Sequence, residues 1–163
     1  MKIGIISDSH NHLTNLQAAL SIFHRENISV LVHCGDMTTT ETAAALGEFR
    51  VIHACGNGDY ASGEIHQTLL HLNPQSFSAP VFTGEVDGIS FAVTHGHLSG
   101  KLQELVQSGL YRYVFFGHSH RRHDETAGAC RLINPGALGG LKTEQRSALI
   151  LDLPTGASRF LIL

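Results

Sequence analysis

Apolar and polar residues along the first 60 positions follow a strand–helix–strand pattern. Short runs rich in Ile, Val and Leu predict strands over residues 2–7, 30–33 and 50–55. Between these runs, apolar residues recur at three- and four-residue spacings over 13–26, and a shorter helix is predicted over 40–46. Two strand–helix–strand units in succession predict a parallel sheet with helices packed on it.

The second half of the chain is richer in strand patterns. Residues 60–79 have mixed polarity and contain Pro74, and we expect them to form a short excursion rather than a domain. Asp87-Gly88 is a hairpin turn signal, and a helix is predicted over 101–107 with Gly109 as its stop. Further strands are predicted over 81–86, 89–94, 113–116, 124–128, 131–134, 148–153 and 158–163. Because no repeat or linker divides the chain, we expect a single domain over residues 1–163.

The composition narrows the possible functions and the compartment. With a net charge of −3, the chain has no basic face that would indicate nucleic acid or an anionic membrane as a partner. No apolar run approaches the roughly 20 residues of a membrane span. Three cysteines without a C-x-x-C motif are typical of a reducing compartment, so we expect a cytoplasmic protein. The twelve histidines outnumber the eleven Lys plus Arg, which suggests a metal site.

Polar clusters follow five of the predicted strands at the point where each strand ends. In chain order they are Asp8-x-His10, Gly35-Asp36, Gly56-Asn57, His95-Gly96-His97 and Gly117-His118-x-His120. Ligands of parallel sheets bind at the carboxyl ends of the strands, so these side chains are expected to lie near one another. The two histidines of the last cluster, two residues apart in extended chain, can face one point in space.

The clusters contain seven candidate metal ligands: two Asp, one Asn and four His. They are Asp8, His10, Asp36, Asn57, His95, His118 and His120. Mixed oxygen and nitrogen donors suit Mn, Fe, Ni, Co or Zn better than Ca or Mg, and the thiolates of structural zinc sites are missing. Seven donors are too many for one tetrahedral ion, but a bridging Asp36 would divide them into four for each of two ions. Two divalent ions against two aspartates leave about +2, which attracts an anionic substrate.

The order of these motifs resembles that of the calcineurin-like metallophosphoesterases. More narrowly, the chain is similar to the small single-domain YfcE-like phosphodiesterases. The segments Ile5–His10, Val32–Asp36 and Ile133–Gly136 match the pattern of that subgroup. The resemblance covers essentially the whole chain, and five motifs in order are far more specific than any one of them.

The resemblance implies a fold, a cofactor and a reaction. The fold is a four-layer α/β/β/α sandwich with mixed sheets. The cofactor is two divalent transition-metal ions, manganese first, with Ni, Fe, Co or Zn as alternatives. One ion is held by Asp8, His10 and His120 and the other by Asn57, His95 and His118, with Asp36 bridging.

The implied reaction is attack of a metal-bridging hydroxide on a small phosphoester, with diesters preferred over monoesters. His97 is expected near the substrate phosphate, in a catalytic set with Asp36 and Asn57. One departure is Gly58, where many family members have a histidine that is thought to assist phosphoryl transfer. The group that protonates the leaving group therefore stays open, as does the oligomeric state, including a homodimer.

Two other functions are weighed against the enzyme. The same fold resembles a retromer scaffold subunit that serves mainly as a binding surface, but the complete donor set favours an enzyme. A dinuclear amidohydrolase would open with His-x-His rather than with Asp8-x-His10. For three polar residues near the motifs we expect structural roles: His12 at a helix N-terminus, His33 as a partner-bonded core imidazole, and Asp59 in holding a loop.

Overall fold

A computed structural model describes residues 1–163. It contains four helices, which are α1 (Leu13–Arg25), α2 (Thr40–Ala45), α3 (Ser62–Leu72) and α4 (Lys101–Gln107). The strands are β1 (Lys2–Ile6), β2 (Val30–His33), β3 (Arg50–Ala54), β4 (Phe77–Ala79), β5 (Val81–Val86), β6 (Ile89–Thr94), β7 (Tyr113–Phe115), β8 (Arg122–Ala127), β9 (Cys130–Pro135), β10 (Ser147–Asp152) and β11 (Ser158–Ile162). None of the helices is long and apolar enough to cross a membrane.

The strands form two mixed sheets. The six-stranded sheet has the order β11-β10-β1-β2-β3-β4, in which β1 to β4 run parallel, β10 runs antiparallel to β1, and β11 runs antiparallel to β10. The five-stranded sheet has the order β5-β6-β7-β9-β8, with a parallel centre formed by β6, β7 and β9. The parallel sheet predicted from the first half of the chain is confirmed.

Three apolar cores define the layers. Helices α1, α2 and α3 pack on the outer face of the six-stranded sheet, where Leu16, Phe23 and Ile65 meet Leu31 of β2. A second core lies between the two sheets. Helix α4 covers the outer face of the five-stranded sheet through the buried Leu105. The order of layers is therefore helices, sheet, sheet, helix, so the expected α/β/β/α sandwich is confirmed.

Strand β1 shows how side-chain alternation divides these cores. Ile3 and Ile5 point into the core between the sheets, whereas Ile6 belongs to the core under the helices. Gly4 faces those helices as well, and a Cβ there would lie 2.8 Å from the ring of Phe23. Glycine at this position lets the aromatic ring of α1 pack directly on the strand.

The short excursion predicted over 60–79 has regular secondary structure that the sequence pattern does not predict. The segment forms helix α3 and strand β4, and β4 extends the six-stranded sheet by pairing in parallel with β3. Only Ile65 and Leu69 of α3 are buried, so a single apolar pair carries its amphipathic pattern. Two apolar positions are too few to predict a helix from periodicity, and packing against α2 and β4 stabilises the helix instead.

Candidate metal centre

The ends of five strands meet at one edge of the sandwich. Asp8, Asp36 and Asn57 follow β1, β2 and β3 of the six-stranded sheet, and the candidate histidines from 95 to 120 follow β6 and β7 of the other sheet. Two hydrogen bonds join the sheets here: the His118 amide donates to Asp8 Oδ2 (3.1 Å), and His95 Nδ1 donates to the Cys34 carbonyl (2.8 Å). The strand ends therefore form one site with walls from both sheets.

Asp8, His10 and His120 form the first half of this site. Their ligand atoms all lie within 4.8 Å of one another. His120 Nε2 is 3.2 Å from Asp8 Oδ1 and 3.4 Å from His10 Nε2. One carboxylate and two imidazoles thus lie close enough together to hold one metal ion.

Asp36 and His95 form the second half, together with His118. The imidazoles of the two histidines approach to 3.3 Å between His118 Nδ1 and His95 Nε2. The Asp36 oxygens face different halves: Oδ1 lies 3.5 Å from His95 Nε2, and Oδ2 lies 3.5 Å from His10 Nε2. A carboxylate oriented in this way can be shared by two ions.

Asn57 lies on the loop after β3, between two glycines that contact Asp36. The Gly58 amide donates to Asp36 Oδ1 (2.6 Å), and a Cβ on Gly56 would lie 2.2 Å from the same oxygen. The Asn57 side chain is exposed and makes no hydrogen bond within the protein. Buried donors such as Asp8 and Asp36 form the floor of the site, whereas Asn57 and His118 lie at its solvent-facing rim.

His97 lies beside the second half of the site. Its ring centroid is 5.3 Å from that of His95 and 6.4 Å from that of His118. Its Nδ1 is buried without a hydrogen-bond partner. Partial burial and the neighbouring imidazoles of His95 and His118 lower the pKa of His97 below its ordinary value. The structure therefore brings His97 to the cluster without placing it among the convergent ligand atoms.

The backbone is strained at most of the candidate donors. Five of them have positive φ angles, namely Asp8 (50°), His10 (42°), Asp36 (54°), His118 (66°) and His120 (55°). Such conformations disfavour residues with a Cβ and cost about 1–2 kcal/mol each. Strain of this kind clusters where a chain must present side chains to a ligand.

The carboxylates and imidazoles of the site stabilise one another's charged forms. Burial would raise the pKa of Asp36, but His95 and the Gly58 amide outweigh it, so the pKa is lowered. The pKa of His120 is raised chiefly by its contact with Asp8, and that of His95 is raised because two carboxylates outweigh the effect of burial. Asp8 Oδ1 is buried and accepts no hydrogen bond. An unpartnered anionic oxygen among imidazoles fits a divalent cation, which would take the place of the shared protons.

Three polar residues near the site have the structural roles that the sequence suggests. His12 caps α1, accepting from the Asn15 amide. His33 is fully buried, with Nδ1 accepting from the Gly35 amide (3.2 Å) and Nε2 donating to Ser9 Oγ (2.9 Å). Burial lowers the pKa of His33 to about 3, so the ring is neutral. Asp59 accepts hydrogen bonds from backbone amides of the loops after β2 and β3.

Two further residues shape the site, and no motif in the donor pattern indicates them. Buried Asn134 on β9 donates to the Gly117 carbonyl (2.8 Å) and holds the loop that presents His118. Gly140, in the loop before β10, backs onto the first half: a Cβ there would lie 2.4 Å from His10 Cδ2 and 2.7 Å from His120 Cε1. The Asn134 position falls within a segment that matches the family pattern, whereas only the folded structure reveals Gly140.

Comparison with known proteins identifies the family of the chain. Residues 1–156 match the model of the calcineurin-like phosphoesterase superfamily domain. Phosphodiesterase MJ0936 of Methanocaldococcus jannaschii is 33% identical over 165 residues, covering 100% of this chain and 99% of that protein. These matches confirm the family and the prediction of a metal-dependent phosphoesterase.

Solved structures agree in fold. An archaeal phosphodiesterase superimposes with a TM-score of 0.94 at 33% identity, covering 100% of both chains. YfcE, a phosphoesterase from E. coli, gives 0.73 at 24% identity over 99% of both chains. Vps29 of Entamoeba histolytica with bound zinc gives 0.71 at 15% identity, covering 100% of this chain and 98% of that chain, and shows likeness of fold alone. With its motif order, its two-sheet architecture and its cluster of carboxylates and imidazoles, the chain belongs to the calcineurin-like phosphoesterase superfamily.

Proposed function

We propose that the chain is a dinuclear phosphodiesterase. The observation that carries this proposal is the orientation of Asp36, whose two oxygens face His10 and His95 in different halves of the site. Asp8, His10 and His120 would hold one ion, and Asn57, His95 and His118 the other. Manganese is the first choice, since mixed oxygen and imidazole donors without thiolates suit it.

Two divalent ions held here would supply Lewis acidity, which activates a water as nucleophile at neutral pH and neutralises the phosphoryl oxygens. The chain's own residues position the ester. Buried Asp8, Asp36 and His95 fix the floor, and the half-buried His97 beside His95 would hydrogen-bond a phosphoryl oxygen. Attack by the activated water in line with the leaving group would then need no covalent intermediate on the protein.

Charge balance supports a diester as the substrate. Two divalent ions held against Asp8 and Asp36 would leave the site with about +2 charge, and an anionic nucleophile would lower this to about +1. A singly charged diester then brings the site to neutrality, whereas a dianionic monoester overshoots and leaves a tightly bound phosphate product. The name of the relative from Methanocaldococcus jannaschii, a phosphodiesterase, points the same way.

The proposal is tested with purified protein loaded with Mn²⁺. We expect two ions per chain by elemental analysis, and a higher kcat/KM for bis(p-nitrophenyl) phosphate than for p-nitrophenyl phosphate. Protein that holds no metal after loading would contradict the dinuclear site. A clear preference for the monoester would contradict the assignment as a diesterase while leaving the metal site intact.

The second candidate function is a scaffold, favoured by the likeness of fold to Vps29. The complete donor set supports the enzyme instead, and metal analysis separates the two. We further propose that residues 1–163 act as one domain on a small phosphoester. Three free cysteines support a cytoplasmic location for it.

A further inference from the structure

Beneath the metal centre lies a buried carboxylate that is not one of the seven candidate ligands. The Asp59 side chain is fully buried and accepts four hydrogen bonds. Three come from backbone amides, those of Asp36 (3.1 Å), Thr38 (2.7 Å) and Gly56 (2.7 Å). The fourth comes from Nε2 of His53 (3.2 Å). Three of these donors meet at Oδ2 and the Thr38 amide meets Oδ1, so both carboxylate oxygens are hydrogen-bonded inside the protein.

These hydrogen bonds join the two loops that carry Asp36 and Asn57. Asp36 and Thr38 belong to the loop after β2, and both have positive φ angles, 54° and 75°. Gly56 belongs to the loop after β3. Asp59 therefore holds a strained backbone in the conformation that turns the Asp36 carboxylate toward both halves of the site.

His53 holds Asp59 from below. It is fully buried on β3, its Nδ1 pairs with Ser78 Oγ on β4 (2.9 Å), and its Nε2 points at Asp59. Removing the charged partner of a buried carboxylate is strongly destabilising, so the imidazole stabilises Asp59 together with the three backbone amides. The ring is anchored by two neighbouring strands, which makes the support rigid.

We propose that Asp59, supported by His53, is a positioning residue for the metal centre: it sets the separation of the two half-sites by fixing the Asp36 backbone against the loop of Asn57. This inference rests on the proposed two-ion site. A residue that only tied down a loop would contribute to the free energy of unfolding and leave metal binding by the folded protein unchanged.

The primary test is Asp59→Asn, titrated with Mn²⁺ alone. The amide keeps one oxygen but turns an NH₂ group toward a backbone donor, so the Asp36 loop must shift. Because loss of a group that orients ligands costs 10–100-fold in metal affinity, we expect one of the two Mn²⁺ affinities to fall by about that factor. The affected ion should be the one that Asn57, His95 and His118 would hold. The exchange-coupled Mn²⁺ pair signal in electron paramagnetic resonance should weaken in parallel.

The matched control is Asp124→Asn. Asp124 is an ion-paired carboxylate on β8, bonded to Arg131 away from the site (2.7 Å). This variant should lose stability without changing either Mn²⁺ affinity. Equal weakening in both variants would overturn the inference, as would a folded Asp59→Asn protein whose two affinities lie within twofold of wild type.

A second pair of variants decides the matter if Asp59→Asn does not fold. His53→Gln keeps an N–H donor near the Nε2 position, whereas His53→Leu removes it. We expect the Leu variant to lose Mn²⁺ affinity and the Gln variant to retain it. Unchanged affinity in His53→Leu would refute the positioning role. Wild-type protein that binds fewer than two ions would instead remove the proposed function on which the inference rests.

Discussion

Gly140→Ala should disable the metal centre through a single added methyl group. A Cβ at this position would lie 2.4 Å from Cδ2 of His10 and 2.7 Å from Cε1 of His120, where ordinary contacts are about 3.5–4.0 Å. The loop cannot retreat easily, because Arg146 Nη2 donates to the Gly140 carbonyl (2.6 Å). His120 Nδ1 also donates to the Leu141 carbonyl (2.8 Å). The two imidazoles must therefore move by about 1 Å.

The expected loss of activity is large compared with the loss of stability. Misplacing a catalytic group by about 1 Å can cost about 10²-fold in rate, so kcat/KM should fall by at least that factor. Gly140 has a φ of +62°, and placing alanine there costs about 1–2 kcal/mol of backbone strain. In a chain of this size each kcal/mol lowers the Tm by about 2–4 °C.

Gly109→Ala is the matched control for the backbone strain. Gly109 has a φ of +68°, and nothing lies within 4 Å of a Cβ built there. This variant should show a similar fall in Tm with wild-type kcat/KM and Mn²⁺ affinity. Comparing bis(p-nitrophenyl) phosphate hydrolysis in the two variants isolates the steric effect. If Gly140→Ala were as active as Gly109→Ala, Gly140 would not be pressed against the ligands.

Three further predictions concern single residues. His120→Ala should lose about 10²-fold or more in kcat/KM together with Mn²⁺, because a lost ligand removes several kcal/mol of charge stabilisation. The control, His24→Ala on the exposed face of α1, should match wild type. Equal rates for His120→Ala and wild type would contradict the ligand assignment. Burial alone would lower the pKa of His53, but its hydrogen-bonded carboxylate partner raises it to about 9, so the stability that its charge contributes is complete below pH ~6.5 and lost as the pH rises through 9. Urea unfolding of metal-free protein should therefore show the gap between wild type and His53→Gln shrinking over that range, and a constant gap would be the contrary result. Since Gly58 supplies no acid, aryl diesters should be cleaved far faster than alkyl diesters. Gly58→His should narrow the ratio of the two kcat/KM values, unless its Cβ, 3.0 Å from Asp36 Oδ1, displaces that carboxylate. An unchanged ratio at equal metal content would show that another group already protonates the leaving group.

The candidate ligands could be predicted from the sequence because each follows a strand with a strong apolar pattern. Strand ends in a parallel sheet share one edge, so the pattern alone brings Asp8, Asp36 and Asn57 together. The four-layer architecture needed the family resemblance, since apolar periodicity does not say which sheet a strand joins.

Other features depend on pairing that the sequence does not display. His53 supports Asp59 only because β3 lies between β2 and β4. Strand β4 has only three residues, and their apolar pattern is too weak to predict a strand. The contact of Gly140 with His10 spans 130 positions along the chain, and no local signal marks it. Apolar periodicity predicts which face of a helix or strand is buried, whereas contacts of this kind depend on which distant loops pack together.

The position of β1 in its sheet has a consequence for how the protein is made. Asp8 follows β1, which lies between β2 and β10, so one edge of the strand that precedes the first metal ligand waits for residues 147–152. During synthesis, about 145 residues after β1 must leave the ribosome before that edge is covered. Pairing across such a long separation is slow because the intervening loop must first be closed. Until then β1 presents an open edge, and chaperones that shield unpaired strands would find their binding site at this strand.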